Sequence, residues 1–197
     1  MPGPAVRPGG AGAEPVKLFT ALWPPPEVVA HLDAALRALD PARVAAATRG
    51  LRGFRFTPVR RWHLTLCFHG EAEPGPLAAG LDERVPGLVA PRLRPAGAGT
   101  FRGVLWIGVR PVARADRSAL RAAVLAAGGD PELFRPHLTV ARWAAGRPDA
   151  ALTGLLARYR GPEWVADDLG LTRSDQGENG PEYEIVHRLA VTRRTGG

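Results

Sequence analysis

The sequence is poor in cysteine, in lysine and in long apolar runs. Its single cysteine, Cys67, excludes an intramolecular disulfide and any zinc site that needs several thiolates. A reducing cytoplasm is therefore the expected compartment. No apolar run approaches the ~18 residues needed to cross a bilayer, so no membrane partner is expected. With 45% apolar and 23% charged residues, the composition is that of a soluble globular protein.

The positive charge is carried almost entirely by arginine. Of 26 basic residues only Lys17 is a lysine, and the net charge is +7. Such a charge favours a polyanionic partner, and arginine binds phosphate through two parallel hydrogen bonds. The same bias, together with abundant Ala, Gly and Pro, also follows from GC-rich codon use. The charge thus permits a nucleic-acid role without requiring one, and a basic surface with no such role fits equally well.

The chain of 197 residues suits one domain or two small lobes. Residues 1–15 are rich in Gly, Pro and Ala and lack the apolar core of a signal peptide, which predicts a disordered tail. Residues 193–197 are expected to fray. Residues 16–192 are therefore expected to form a single two-lobed domain, and a monomer is expected.

Apolar periodicity predicts strands and helices that alternate irregularly. The predicted strands are 16–23, 62–68, 92–96, 104–109, 134–143, 167–173 and 183–191. The predicted helices are 27–47, broken or kinked at Pro41, and 76–88, 116–127 and 149–159. Gly70 should end the second strand, and a flexible Gly-rich connection should join the last two. The hairpin-like strand pairs favour an α+β fold over a doubly wound sheet.

The most informative feature is an internal repeat on two predicted strands. The segment Arg61-Trp62-His63-Leu64-Thr65-Leu66 recurs in the second half of the chain as Arg135-Pro136-His137-Leu138-Thr139-Val140. Each copy has an arginine two residues before the histidine. One copy in each half predicts two related lobes, each an antiparallel sheet with helices outside, facing each other across a central cleft.

The spacing of the repeat has a chemical meaning. Side chains alternate along a strand, so His63 and Thr65 share one face, and His137 and Thr139 do the same. Two such strands would place two imidazoles and two hydroxyls in one cleft. One imidazole can remove a proton from an attacking oxygen while the other protonates a leaving oxygen, and both can titrate near neutral pH. The threonines can donate hydrogen bonds to phosphate oxygens.

The remaining histidines receive a structural interpretation, because a lone histidine on a strand or helix is more often structural than catalytic. His31, His69 and His187 belong to this group. A metal site is disfavoured, since two histidines without an acidic or cysteine companion at ligand spacing are too few ligands.

Several segments together resemble a known family. They are Lys17-Leu18-Phe19-Thr20-Ala21-Leu22, His63-Leu64-Thr65-Leu66, Val104-Leu105-Trp106-Ile107-Gly108-Val109, Pro136-His137-Leu138-Thr139-Val140-Ala141-Arg142, Leu171-Thr172-Arg173-Ser174 and Tyr183-Glu184. In this order they resemble the two-histidine phosphoesterase superfamily, and within it the RNA 2′,3′-cyclic phosphodiesterases, also called 2′-5′ RNA ligases. The resemblance covers about residues 16–191.

The resemblance implies roles for individual residues. His63 and His137 match the catalytic pair, and Thr65 and Thr139 match the donors to phosphate oxygens. Phe68 falls where the family has an aromatic near the nucleobase, although a core position is an equal alternative. His69 stands where the family more often has an aliphatic residue.

Arg142 falls where the family has an arginine beside the phosphate and base, with a solvated surface arginine as the alternative. Strict strand alternation would turn Arg142 away from the face of His137 and Thr139. Its proposed role therefore needs a bulge, a strand end at Ala141, or a side chain that curls round the edge.

The implied activity is hydrolysis of 2′,3′-cyclic phosphate ends of RNA or nucleotides to 2′-phosphomonoesters. The resemblance makes His137 the base for water and His63 the acid toward the 3′ oxygen, without a metal or a nucleotide cofactor. Two alternatives remain. One is the reverse reaction, 2′-5′ joining of RNA ends, and the other is a nucleotide- or RNA-binding module with little turnover, which would not need two proton-transfer groups.

Overall fold

The computed structural model describes residues 15–193, except positions 102 and 179. The predicted disordered tail, 1–15, and the predicted frayed end, 193–197, lie outside this part of the chain apart from Pro15 and Arg193. Within the described residues, no helix is both long and apolar enough to cross a membrane.

The described chain alternates strands and helices irregularly. The strands are β1 (Val16–Leu22), β2 (Arg55–Phe56), β3 (Leu64–Ala72), β4 (Arg92–Phe101), β5 (Val104–Pro111), β6 (His137–Arg142), β7 (Trp164–Val165), β8 (Asp168–Gly177) and β9 (Gly180–Ala190). The helices are α1 (Pro26–Arg37), α2 (Pro41–Ala47), α3 (Pro74–Arg84), α4 (Arg114–Ala126) and α5 (Ala150–Gly154), with a 3₁₀ turn at Val59–Arg61.

The strands form two antiparallel sheets, which confirms the predicted α+β fold. The first sheet has the order β3-β1-β8-β9 and the second the order β2-β6-β5-β4-β7. The two sheets exchange strands along the chain. The C-terminal hairpin of β8 and β9 completes the first sheet, and β2 from the N-terminal half lies at the edge of the second. Each sheet therefore needs residues from both halves of the sequence.

The internal repeat corresponds to a repeated strand–helix–strand unit. In the first unit α1 and α2 lie between β1 and β3 in the chain, and in the second α4 lies between β5 and β6. Both strand pairs are antiparallel, with Leu22 opposite Leu64 in one and Gly108 opposite His137 in the other. The two histidine motifs thus begin equivalent strands of the two sheets, as the repeat predicts.

The aliphatic positions of the two motifs anchor these strands in the core. Leu64, Leu66, Leu138 and Val140 are all buried. Full burial of a side chain of this size contributes about 1.5–3 kcal/mol. The predicted division of each motif strand into an apolar core face and a polar face is therefore confirmed.

Some element boundaries confirm the sequence prediction and others correct it. The predicted helix break is present, because α1 ends at Arg37 and Asp40 caps the start of α2 by accepting a hydrogen bond from the Ala42 amide. Gly70 does not end β3. Gly70 has a positive φ of 71°, but β3 continues past it to Ala72, which pairs with Val16 of β1.

The end of the chain differs from the predicted flexible connection. The last two strands pair along their whole length, with Ser174 opposite Tyr183 and Gly177 opposite Gly180. Pairing through these residues leaves only a tight hairpin between β8 and β9. The predicted fourth helix is also shorter than expected, since α5 ends at Gly154.

Candidate active site

A cleft of about 370 Å³ is lined by residues of both sheets. All six residues that the sequence singled out line it, namely His63, Thr65, Phe68, His137, Thr139 and Arg142. Its other lining residues are Arg55, Phe56, Thr57, Pro58, Arg61, Phe101, Val104, Pro181 and Tyr183. The fold therefore brings together two motifs that are far apart in the sequence.

Each motif imidazole is held by the backbone two residues before it. His63 Nδ1 lies 2.8 Å from the carbonyl oxygen of Arg61, and His137 Nδ1 lies 2.6 Å from that of Arg135. A carbonyl oxygen can only accept, so Nδ1 must carry a proton in both rings. Nε2 is then the nitrogen available to the cleft, as a base in the neutral ring and as an acid in the charged one.

A β-bulge in each motif strand explains how residues beyond the threonines reach the cleft. In β6 the pairing skips Val140, since Trp106 faces Thr139 and Leu105 faces Ala141. An extra residue shifts the alternation, so Arg142 returns to the face of His137. Of the three conditions that would let Arg142 reach the cleft, the bulge is therefore the one that the structure shows.

The first motif has a bulge at the equivalent position. Thr20 faces Cys67 and Ala21 faces Thr65, so the pairing of β1 with β3 skips Leu66. This bulge turns Phe68 toward the cleft. Phe68 and Arg142 each lie five residues after their histidine and are therefore repeat-related positions, one aromatic and one cationic.

Phe68 is not a core residue. Its side chain is 76% exposed, on the rim of the cleft. At this position the ring presents a flat apolar face against which a planar group could stack. The alternative of a core position is therefore wrong. Arg142 is exposed as well and also faces the cleft.

Aromatic rings surround the first imidazole. The ring of His63 stacks on Phe19 with centroids 4.7 Å apart, and its centroid lies 5.1 Å from Tyr183 and 5.2 Å from Trp23. The pKa of His63 falls from 6.5 to about 4, chiefly because of burial among these rings, and the nearby His137 and Arg142 act in the same direction. The hydrogen bond to Arg61 acts in the opposite direction.

The second imidazole has a similar environment. The His137 centroid lies 5.0 Å from that of Phe101 in an edge-to-face contact. Burial lowers the pKa of His137, and Arg142 contributes in the same direction. The sequence predicted that both histidines titrate near neutral pH. Without a bound anion, the site instead keeps His63 neutral at pH 7 because its pKa lies far below that value.

The cleft attracts anions. Among its described lining residues are three arginines, Arg55, Arg61 and Arg142, and no acidic residue. Burial raises the pKa of the Tyr183 hydroxyl, which keeps that group protonated as a hydrogen-bond donor. A bound phosphate would therefore meet cations and donors on several sides.

Several of these side chains could not be assigned to the cleft from the sequence. Phe19 and Tyr183 contact His63 from strands that are distant in sequence, and only the segments containing them were noted. Arg61 was noted as part of the repeat, but its place in the cleft wall was not foreseen. The available signal for Arg61 was the repeated arginine two residues before each histidine, although the matching Arg135 does not line this cleft.

The other three histidines lie outside the cleft lining and have partners elsewhere. The ring of His69 lies 2.8 Å from the Thr20 hydroxyl, His31 is 3.0 Å from the Tyr159 hydroxyl, and His187 is 2.8 Å from a carboxylate oxygen of Asp82. These contacts suit structural roles. The part of the chain that the structure describes contains no group of three or more His, Cys, Asp or Glu side chains able to hold a metal ion.

Comparison with known families and curated proteins gives a consistent result. The model of the 2′-5′ RNA ligase superfamily matches residues 24–178. An RNA 2′,3′-cyclic phosphodiesterase from Thermus thermophilus is 30% identical, over 89% of this chain and 90% of its own length.

Solved structures share the fold. The protein TT0787 of Thermus thermophilus superimposes with a TM-score of 0.61 at 26% identity, covering 89% of this chain and 97% of its own. LigT of E. coli, complexed with 3′-AMP, gives a TM-score of 0.62 at 21% identity, with 91% and 99% covered. At that lower identity the likeness concerns the fold alone.

The lowered pKa of His63 predicts how stability depends on pH. Between about pH 4 and 6.5 the unfolded chain binds more protons at this site than the folded protein, so the free energy of unfolding rises with pH. Urea denaturation should therefore give a smaller free energy of unfolding at about pH 5 than at about pH 7. His63→Gln should narrow this difference. An unchanged difference in the variant would place the pKa of His63 near its ordinary value.

Proposed function

Because this chain belongs to the 2′-5′ RNA ligase superfamily of two-histidine phosphoesterases, we propose that it hydrolyses 2′,3′-cyclic phosphate ends of RNA or nucleotides to 2′-phosphomonoesters. The observation that carries the proposal is the matched pair of imidazoles, each with Nδ1 held by a carbonyl and Nε2 available to one cationic cleft. The name of the Thermus relative supports the same substrate class.

The proposed reaction is a single displacement at phosphorus. His137 Nε2 removes a proton from water while the water oxygen forms a bond to phosphorus. The bond from phosphorus to O3′ breaks, and protonated His63 donates its Nε2 proton to O3′. The product carries a 2′-phosphate and a free 3′-hydroxyl. The assignment of acid and base follows the family resemblance.

His63 can act as an acid at pH 7 only if the bound substrate raises its pKa. In the free protein the pKa of His63 is about 4, so this ring is neutral at pH 7. The negative charge of a cyclic phosphate next to the ring stabilises the imidazolium and raises that pKa. Protonation of His63 is therefore coupled to the binding of the anion, which restricts acid catalysis to the loaded site.

The other cleft residues divide between phosphate and base. We assign the hydroxyls of Thr65 and Thr139 to the non-bridging phosphate oxygens, where negative charge increases in the transition state. Arg142 binds the same phosphate through its planar guanidinium. Phe68 provides an exposed ring on which the nucleobase stacks. Both imidazoles and the assigned phosphate and base contacts come from residues 16–192, so we propose that these residues act as one domain and that a monomer is active.

The two-histidine mechanism predicts that either imidazole is indispensable. His63→Ala or His137→Ala should each lower kcat by about two or more orders of magnitude on a 2′,3′-cyclic nucleotide. Circular dichroism should show a folded protein in both cases. His31→Ala, which removes an exposed imidazole outside the cleft lining, is the matched control and should keep wild-type turnover. Near-normal turnover in either cleft variant at neutral pH would refute the mechanism.

Substitution of Arg142 tests whether the side chain that the bulge in β6 turns toward the cleft binds the substrate. Arg142→Ala should raise KM, and should also lower kcat if the contact strengthens as charge develops. Arg142→Lys should recover little, because it keeps the charge but loses the planar fork. Arg147→Ala, at an exposed arginine outside the cleft lining, serves as control. Wild-type steady-state constants for Arg142→Ala would make this residue a surface arginine.

The proposed chemistry uses proton transfer by imidazole and needs no metal ion. Hydrolysis should therefore persist at its full rate after exhaustive dialysis against EDTA. The assay follows release of the 2′-phosphate product in metal-free buffer. Activity that disappears on chelation and returns with zinc or manganese would show that a metal takes part.

A further inference from the structure

Two arginines face each other where the edge strand of the second sheet meets the motif strand. In the pairing of β2 with β6, Arg55 is directly opposite Arg142, and both line the cleft. Like charges at directly opposite positions of an antiparallel pair destabilise it. Within the described residues neither arginine forms an ion pair. A phosphate group bound at each guanidinium group would relieve this repulsion.

The chain that follows Arg55 continues this cationic wall. Residues 55–61, here called the connecting segment, lead from β2 to His63, and Arg61 in this segment also lines the cleft. Beyond Arg61 a groove continues between Arg60 and the start of β9. On the side of the connecting segment, the cleft therefore continues into a groove lined by two arginines and one acidic residue, Glu182.

A second groove leaves the histidines and has a different character. It shares Thr65, Phe68 and His137 with the cleft and continues over Leu133 and Phe134. The side chains of Phe68 and Leu133 are each 76% exposed. This groove is mainly apolar and suits a flat, weakly polar group.

The two grooves match the two further substituents of the substrate. A ribose that carries a 2′,3′-cyclic phosphate bears a nucleobase at C1′ and the preceding phosphate at C5′. We propose that Arg55, beside Arg142, binds this 5′ phosphate, while the nucleobase occupies the apolar groove at Phe68. The preferred substrate is then an RNA end or a 5′-phosphorylated nucleotide instead of the bare nucleoside cyclic phosphate. This inference rests on the proposed function and deepens it.

The kinetic test compares substrates that differ only at the 5′ position. Adenosine 2′,3′-cyclic phosphate is compared with its 5′-phosphorylated form and with the dinucleotide ApA ending in a 2′,3′-cyclic phosphate. A charge-assisted contact predicts a kcat/KM at least about tenfold higher for the two phosphate-bearing substrates. Arg55→Gln should bring this ratio close to one.

The matched control removes a guanidinium group from a surface outside the cleft. Arg117 is exposed on α4 and outside the cleft lining, so Arg117→Gln should keep the wild-type ratio. Arg55 is itself exposed at a sheet edge, so its substitution should leave the fold intact. A wild-type ratio near one, or a ratio that survives Arg55→Gln, would overturn the proposal.

A binding measurement separates this proposal from the proposed reaction. Calorimetry on the intact protein compares adenosine 2′-monophosphate with adenosine 2′,5′-bisphosphate. The bisphosphate should bind at least about tenfold more tightly, and Arg55→Gln should remove the difference. Equal affinities would refute the arginine site even if both cyclic substrates are hydrolysed. If no cyclic substrate is hydrolysed, the proposed reaction fails, while the affinities still decide whether Arg55 holds a 5′ phosphate.

Discussion

The hydrogen bond from each motif imidazole to a carbonyl two residues earlier is the constraint on which the candidate site depends. It favours the tautomer in which Nδ1 of His63 and of His137 carries the proton and donates to the carbonyl, and it makes Nε2 of each ring available to the same cleft. Each of these hydrogen bonds spans only two residues of the chain. A short repeated segment can therefore form it at the start of either strand. Two copies of the segment in two sheets then give two similarly held imidazoles that line one cleft.

The surroundings of the two imidazoles control their protonation. Burial among aromatic rings lowers the pKa of His63, and the positive charge of Arg142 lowers the pKa of both imidazoles. In the proposed mechanism, the same positive charge draws a phosphate into the cleft, where the anion stabilises an imidazolium. A site that resists protonation when empty thus becomes able to hold a proton when an anion is bound.

Much of this arrangement could be predicted from the sequence, because it is local or repeated. The alternation of side chains predicted the faces of His63 and Thr65, and the repeat predicted two related lobes. The sequence left a bulge as one of three conditions for the role of Arg142, and it could not locate the β-bulges at Leu66 and Val140, because their positions depend on pairing with β1 and β5. They decide whether the side chains five residues after each histidine face the cleft.

Contacts between segments that are distant in the sequence could not be predicted from the sequence pattern either. The exchange of strands between the sheets joins β8 to β1, and it brings Tyr183 on β9 to the ring of His63. The lowered pKa of His63 follows from such long-range packing, so the expectation of titration near neutral pH was wrong for the free protein. Periodicity in one segment carries no information on which distant strands it packs against.

Nitrogen-15 NMR of the imidazoles tests the central claim most directly. In the free protein at neutral pH, both His63 and His137 should show the tautomer with the proton on Nδ1, because each Nδ1 faces a carbonyl oxygen. Addition of adenosine 2′-monophosphate should shift the titration of both rings to higher pH. A proton on Nε2 in either neutral ring, or a titration that the nucleotide leaves unchanged, would contradict the paired arrangement.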